Sequence, residues 1–201
     1  MKAVLISIQP KWCELIASGK KTIEVRNTLP KIDVPFKVYI YEKKARFVKS
    51  IKGAHTKYGY GRGKIIGSFV CDKITCCQAY YGESGEKHLT NLFGDEVKRT
   101  CLTEHEMFDY IVGKGKKEGT GWLWHITEPK LFDKPRMLGE FRTPFPFSKH
   151  CLNCEINENR TIKGFNTEYC LACGYFKDNL TRPPQSYYFV ETDENEEEKN
   201  E

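Results

Sequence analysis

Hydrophobic residues near the amino terminus first follow the spacing of a strand and then that of a helix. The apolar run at residues 3–8 has the length of a buried strand, and Pro10 suits the first turn of a helix. Trp12 and Ile16 recur at helical spacing, and Gly19 stands where a left-handed C-terminal cap is usually glycine. The pattern therefore predicts a strand, a helix and a turn, in that order.

Polar and apolar residues then alternate over residues 22–26, which is the period of a strand. The two apolar residues would face one side of this strand. Glu24 and Arg26 would face the other side, with Lys21 at the mouth. This segment can build a charged pocket, and the alternative is a solvated strand face whose surface ion pair contributes little to stability.

A strongly basic loop follows, in which no acid interrupts the cations. They are Lys43, Lys44, Arg46, Lys49, Lys52, Lys57, Arg62 and Lys64. Tyr58 and Tyr60 alternate with glycines, so rings for stacking and amines for phosphates would share a flexible loop between strands at residues 37–41 and 64–71. The loop is a candidate nucleic-acid site, and an ordinary solvated surface is the alternative.

The pattern becomes helical over residues 76–119. Three apolar residues within 89–93 would share one helical face. Thr103 and Glu106 form a capping box that opens a second helix, which we expect to pack on the sheet and to end at Gly113.

Another strand follows a second basic loop at residues 114–119. Trp122 and Trp124 lie on one face of this strand. Their rings are predicted to be core residues rather than a shelf for stacked bases.

Two Cys-x-x-Cys pairs near the carboxyl-terminal end form the second strong motif. Their four cysteines are Cys151, Cys154, Cys170 and Cys173. The spacing is that of a four-cysteine zinc site, and four thiolates would close the coordination sphere, so the zinc would be structural. His150 is a possible substitute ligand, and two disulfides or free thiols are the alternative. The remaining cysteines are expected in the core, namely Cys13, Cys71, Cys76, Cys77 and Cys101.

Charge and composition limit the remaining possibilities. Residues 191–201 hold seven acids and one lysine, so residues 1–190 carry +11 against +5 for the whole chain. We expect this acidic tail to be disordered, and to aid solubility or to compete with nucleic acid for the basic face. No stretch approaches the roughly 20 apolar residues of a membrane span, and the amino terminus does not resemble a signal peptide. The clustered cysteines favour a reducing, cytoplasmic compartment.

The motifs at residues 7–12 and at Gly19-x-Lys21-x-x-Glu24-x-Arg26 resemble the signature of the ASCH domain, a small β-barrel of the PUA-like superfamily. Residues 63–72 and 121–126 are similar to further strands of that family, and residues 182–187 to the terminal segment of its phage and bacterial members. The resemblance implies an α+β fold, a mixed β-barrel with flanking helices. The zinc-binding segment would be a ribbon-like insertion.

We therefore predict that the chain is divided into four parts. The barrel would occupy residues 1–147, the zinc-binding insertion 148–180, the final barrel strand 181–190 and the acidic tail 191–201.

The resemblance also implies a cleft in which Lys21 and Arg26 offer cations to phosphate and Glu24 accepts from a base or hydroxyl, with Trp12 beside them. Three functions remain open. The first is binding of RNA or a nucleotide. The second is hydrolysis by a ribonuclease or an acetylcytidine amidohydrolase, with Lys21 and Glu24 as catalytic residues, although the amidohydrolases carry threonine where this chain has Glu24. The third is docking of a host or phage protein through the zinc segment.

Overall fold

One mixed sheet forms the centre of the described part of the chain. The computed structural model describes residues 2–44, 62–142, 169–170, 175–176, 180 and 182–191. The strands are β1 (Lys2–Ile8), β2 (Ile23–Arg26), β3 (Phe36–Glu42), β4 (Ile65–Tyr81), β5 (Lys87–Thr90), β6 (Glu118–Arg136), β7 (Tyr169–Cys170), β8 (Tyr175–Phe176) and β9 (Tyr187–Glu191). The helices are α1 (Pro10–Ala17), α2 (Glu96–Thr100) and α3 (Glu104–Val112), and a 3-10 turn follows β6 at Leu138–Glu140.

The sheet has seven strands, of which six lie in the order β2-β6-β4-β3-β1-β9, and β5 pairs with β4. Among the strands of this sheet that the structure describes, only β1 and β3 are parallel, with Val4 opposite Val38, and the other pairs are antiparallel. The long strands β4 and β6 pair through three register shifts, which bend the sheet. This mixed sheet with a few helices agrees with the predicted α+β fold.

Helix α1 covers one face of the sheet, as its spacing predicts. Pro10 begins the helix, and Gly19, with φ +70°, follows its end. Cys13 and Ile16 pack into a core cluster with side chains of β1, β3, β4 and β6. Trp124 is fully buried in this cluster, where its ring meets that of Phe36 edge to face at 5.6 Å, so its predicted core position is confirmed.

The opposite face of the sheet is covered by α3. Met107, Phe108 and Ile111 pack there against Leu123 of β6 and neighbouring side chains. The predicted capping box is present, because the Thr103 hydroxyl accepts from the Glu106 amide while the Glu106 carboxylate accepts from the Thr103 amide. The helix ends at Gly113 as expected.

The helical pattern predicted over residues 76–119 is wrong at both ends. Strand β4 extends to Tyr81, β5 follows, and β6 begins at Glu118. Cys77 and Ala79 are buried with period two, opposite Gly121 and Gly119. These glycines leave room for α3, Gly121 for the Ile111 side chain and Gly119 for the α3 backbone. The helical face expected within residues 89–93 is also wrong, because Leu89 belongs to β5 and residues 91–93 follow that strand outside any helix. Sequence spacing alone does not distinguish a short strand from a helix segment.

The sheet is open rather than the closed barrel that was predicted. Across the described residues no backbone ladder joins β2 to β9, the two ends of the strand order. Side chains bridge these two ends instead: the Thr28 and Ser186 hydroxyls share a hydrogen bond, and the Tyr187 hydroxyl donates to the Leu29 carbonyl at 3.5 Å. We call this polar closure the seam.

The carboxyl-terminal parts of the predicted domain plan are only partly described. The final strand was predicted at residues 181–190, and the structure has β9 at Tyr187–Glu191. The strands β7 and β8 pair with each other in the segment predicted as the zinc insertion. Residues 192–201 of the acidic tail lie outside the described residues. No helix in the described part of the chain is long and apolar enough to cross a membrane.

Gly67 of β4 provides a test of the close approach between the two long strands. A Cβ atom at this position would lie 2.3 Å from the Lys130 carbonyl oxygen of β6, so Gly67→Ala must push the strands apart. We expect it to lower the free energy of unfolding by about 1–3 kcal/mol in urea denaturation.

The matched control is Gly139→Ala, because a Cβ built there would meet no heavy atom within 4 Å apart from its local backbone neighbours. Equal stability of the two variants would contradict the packing of β4 on β6.

Candidate functional site

The turn after α1 places Lys21 beside the strand that carries Glu24 and Arg26. The Lys20 and Lys21 amides both donate to the Leu15 carbonyl, which closes the end of the helix around Gly19. The end of α2 lies against this turn, since the Thr22 amide donates to the Arg99 carbonyl. The loop is thereby held from both sides.

Lys21, Glu24 and Arg26 form a buried ion network. The Lys21 ammonium lies 3.3 Å from Glu24 Oε2, and Arg26 Nη1 lies 3.5 Å from Glu24 Oε1. The exposed fractions of these residues are only 2%, 8% and 7%. The predicted charged cluster is therefore present, and the alternative of a solvated strand face is wrong.

Backbone carbonyls hold the two cations of the ion network. The Lys21 ammonium donates to the Thr100 carbonyl at the end of α2, at 2.7 Å. The Arg26 guanidinium donates to the Ser7 carbonyl of β1 at 3.3 Å and to the Ser186 carbonyl just before β9. Each charge therefore has partners, which is the condition under which buried charges are tolerated.

A cavity of about 440 Å³ opens above the ion network. The Trp12 ring lines it, with the Lys21 ammonium 5.2 Å and the Lys11 ammonium 4.4 Å from the ring centroid. Both distances are within the range of a cation–π contact. The full lining is Ser7, Ile8, Gln9, Trp12, Lys21, Glu24, Val25, Arg26, Lys43, Leu102, Glu106, Tyr110 and Gln185.

Polar groups that were not predicted as site residues also line the cavity. Gln9 and Gln185 are exposed, and the side-chain amide of neither makes a hydrogen bond within the described part of the chain. Tyr110 projects from α3, and desolvation raises its pKa although 44% of the residue is exposed. Its hydroxyl stays protonated near neutral pH and can donate or accept. Gln9 and Gln185 lie within the sequence motifs that carry the family resemblance. That resemblance is the sequence signal that could have identified them as site residues.

The basic loop begins at the rim of this cavity. Lys43 lines the cavity, and its amide donates to the Ile8 carbonyl. The buried carboxylate of Glu42 accepts from the Arg62 amide at 2.7 Å, and the Gly63 amide donates to the Glu42 carbonyl, so both ends of the loop meet here.

The structure describes only the two ends of this loop. Lys44 and Arg62 are exposed at its two ends, whereas Arg46, Tyr58 and Tyr60 lie outside the described residues.

The structure also contains a second buried polar network that sequence reasoning missed. Glu96 of α2 accepts from the Thr75 hydroxyl at 3.1 Å and from the Phe93 amide at 3.0 Å, and it lies 3.4 Å from His125 Nε2. Burial and the nearby Arg99 lower the pKa of His125, although Glu96 opposes the shift. This network fixes α2, whose last carbonyl holds Lys21.

The predicted zinc ligands fall mostly outside the described residues. Cys170 belongs to β7, and the other three cysteines of the motif are not described. No group of three metal-ligating side chains occurs within residues 2–44 and 62–142 or the shorter described segments.

Of the other cysteines, Cys13, Cys71 and Cys77 are buried as predicted, whereas Cys76 and Cys101 are partly exposed. Burial raises the pKa of the Cys71 thiol to about 12 and that of Cys77 to about 11.

Comparison with known proteins identifies a family for most of the described chain. The ASCH domain model matches residues 6–135. An ASCH protein from Zymomonas mobilis is 17% identical, with a TM-score of 0.49 over 94% of this chain and 88% of that chain. A mutant of that protein is also 17% identical, with a TM-score of 0.48 over 96% and 92% of the two chains. No curated protein sequence matches the chain.

The network around His125 predicts how stability depends on pH. Because the folded-state pKa of His125 lies below its ordinary value of about 6.5, the unfolded chain takes up a proton first as the pH falls. The free energy of unfolding should therefore decrease as the pH falls from 7.5 to 5.5. This pH interval lies above the range in which carboxylates titrate. His125→Gln, which can still donate to Glu96, should reduce this decrease by up to about 1 kcal/mol.

Urea denaturation at the two pH values measures this difference. His88→Gln, which alters an exposed histidine outside the network, is the control. If His125→Gln keeps the full pH dependence, His125 is not the group responsible.

Proposed function

We propose that this chain, which belongs to the ASCH domain family, binds RNA or a nucleotide in the cavity above the ion network. ASCH domains are generally nucleic-acid-binding, which supports this class of ligand. The observation that carries the proposal is the meeting of three features in one cavity: the Trp12 ring, the buried ion network and Lys43 at the root of the basic loop.

The cavity has the dimensions and the chemistry for such a ligand. Its volume of about 440 Å³ falls within the usual range for small-molecule sites. The Trp12 ring lines the cavity, and base stacking on an aromatic ring tolerates any base. The hydrogen-bonding groups around the ring can contact a base or a sugar. Lys43 and the cations that follow it can neutralise phosphates outside the cavity.

Binding is favoured over catalysis by the state of the proposed catalytic residues. The Lys21 ammonium is engaged by Glu24 and by the Thr100 carbonyl, so it is not an unpaired base in this arrangement. The amidohydrolases that the chain resembled carry threonine where this chain has Glu24. Product formation from an acetylated cytidine or an RNA oligomer, lost in Lys21→Ala, would instead establish a hydrolase.

The proposal predicts a salt-dependent affinity for single-stranded RNA. If Lys43, Lys44 and Arg62 contact phosphates, their combined replacement by glutamine should flatten the dependence of log K on log salt by about two units. Fluorescence anisotropy with a labelled oligomer over a range of salt concentrations measures this slope.

A triple replacement of Lys116, Lys130 and Lys134 by glutamine is the control, because these exposed lysines do not line the cavity and removing them changes the net charge equally. The phosphate role fails if both triple variants change the slope equally, or if the unaltered protein does not bind RNA at low salt.

A structural zinc is the second part of the proposal, and it rests on the donor set. Four thiolates in two Cys-x-x-Cys pairs are the ligands that tetrahedral zinc prefers, and Cys170 lies on a strand that pairs with β8. We place the zinc at Cys151, Cys154, Cys170 and Cys173. Its role would be to stabilise the segment before β9.

Metal analysis should find one zinc per chain, and Cys154→Ser should lose it and lower the melting temperature, because metal binding contributes folding free energy. Cys101→Ser removes a thiol outside the motif and should retain the metal. Purified protein that lacks zinc, and whose melting curve does not change with added zinc or chelator, would contradict this part of the proposal.

A further inference from the structure

The position of Arg26 at the seam of the open sheet suggests a role other than contact with a ligand. Arg26 is the last residue of β2, and β2 and β9 end the strand order without pairing with each other in the described structure. Its guanidinium crosses this gap and donates to the Ser7 and Ser186 carbonyls. The Arg26 side chain thereby connects β2 to β1 and to the segment just before β9.

Residues 182–186, which we call the wall segment, depend on these contacts. The Ser7 hydroxyl donates to the Pro184 carbonyl at 2.8 Å, and Arg26 and Thr28 bind Ser186 on the other side. Gln185 lies between the two anchored residues and lines the cavity. The backbone on both sides of Gln185 is thus fixed, while its side-chain amide makes no hydrogen bond within the described residues.

We propose that Arg26 is a positioning residue that closes the seam and holds Gln185 against the ligand, and that its guanidinium does not contact phosphate. The planar guanidinium suits this role because it can donate to two carbonyls and to Glu24 at fixed angles. Lysine keeps the charge but lacks this geometry. This inference rests on the proposed binding function for its affinity measurements, whereas its structural part can be tested without a ligand.

The Arg26→Lys variant distinguishes a positioning role of Arg26 from a direct contact with phosphate. If Arg26 positions the wall segment, Arg26→Lys should weaken binding of the labelled RNA oligomer about fivefold to tenfold, as for one lost hydrogen bond, and leave the salt slope unchanged. Gln185→Ala should have a similar effect, and the double variant should bind no more weakly than the weaker of the two single variants. Arg26→Gln should likewise keep the salt slope.

The opposite results would overturn the inference. A direct phosphate contact predicts that Arg26→Lys retains most of the affinity, that Arg26→Gln flattens the salt slope by about 0.7 units, and that its effect adds to that of Gln185→Ala.

Hydrogen exchange of the free protein tests the seam independently of any ligand. Peptides that cover residues 185–190 should exchange at least about tenfold faster in Arg26→Lys than in the unaltered protein, because the anchor of Ser186 is lost. Arg182→Lys, a change at an exposed residue of the same segment, is the matched control. Unchanged exchange in Arg26→Lys overturns the role of Arg26, whereas faster exchange without RNA binding would reject the proposed function and leave the seam in place.

Discussion

Three backbone carbonyl oxygens hold the cations of the ion network, and the architecture of the cavity depends on them. The Thr100 carbonyl holds Lys21, and the Ser7 and Ser186 carbonyls hold Arg26. Each bond joins β2 or its preceding turn to a different part of the fold. Since the removal of one partner from a buried ion pair typically costs about 3–5 kcal/mol, the cluster restricts how α2, β1 and the segment before β9 can be arranged.

The same bonds determine the electrostatics of the cavity. Glu24 compensates one of the two cations, so the floor of the cavity carries a net positive charge that is already bound to protein oxygens. Gln9 and Gln185, whose side-chain amides make no hydrogen bond within the described residues, line the cavity where it is exposed to solvent, and the partly exposed Lys43 is a further cation in its lining. This division favours an uncharged group inside the cavity and phosphates along the basic loop.

The sequence predicted the parts of the site that are local. The turn at Gly19, the strand 22–26 and the capping box of α3 follow from short-range patterns, and the structure confirms them. The partners of these residues could not be predicted, because Thr100 is 79 residues from Lys21 and Ser186 is 160 residues from Arg26. Carbonyl groups occur at every residue, so no side-chain pattern marks the ones that are used. The extension of β4 was missed for a related reason, since its burial depends on glycines in β6.

A crystal structure of the protein with a bound mononucleotide is the most direct test of this account. We predict that the base lies against the Trp12 ring, that Gln185 contacts the ligand and that Arg26 keeps its bonds to the Ser7 and Ser186 carbonyls. A nucleotide bound outside the cavity, or an Arg26 guanidinium that has left both carbonyls to contact phosphate, would contradict the account.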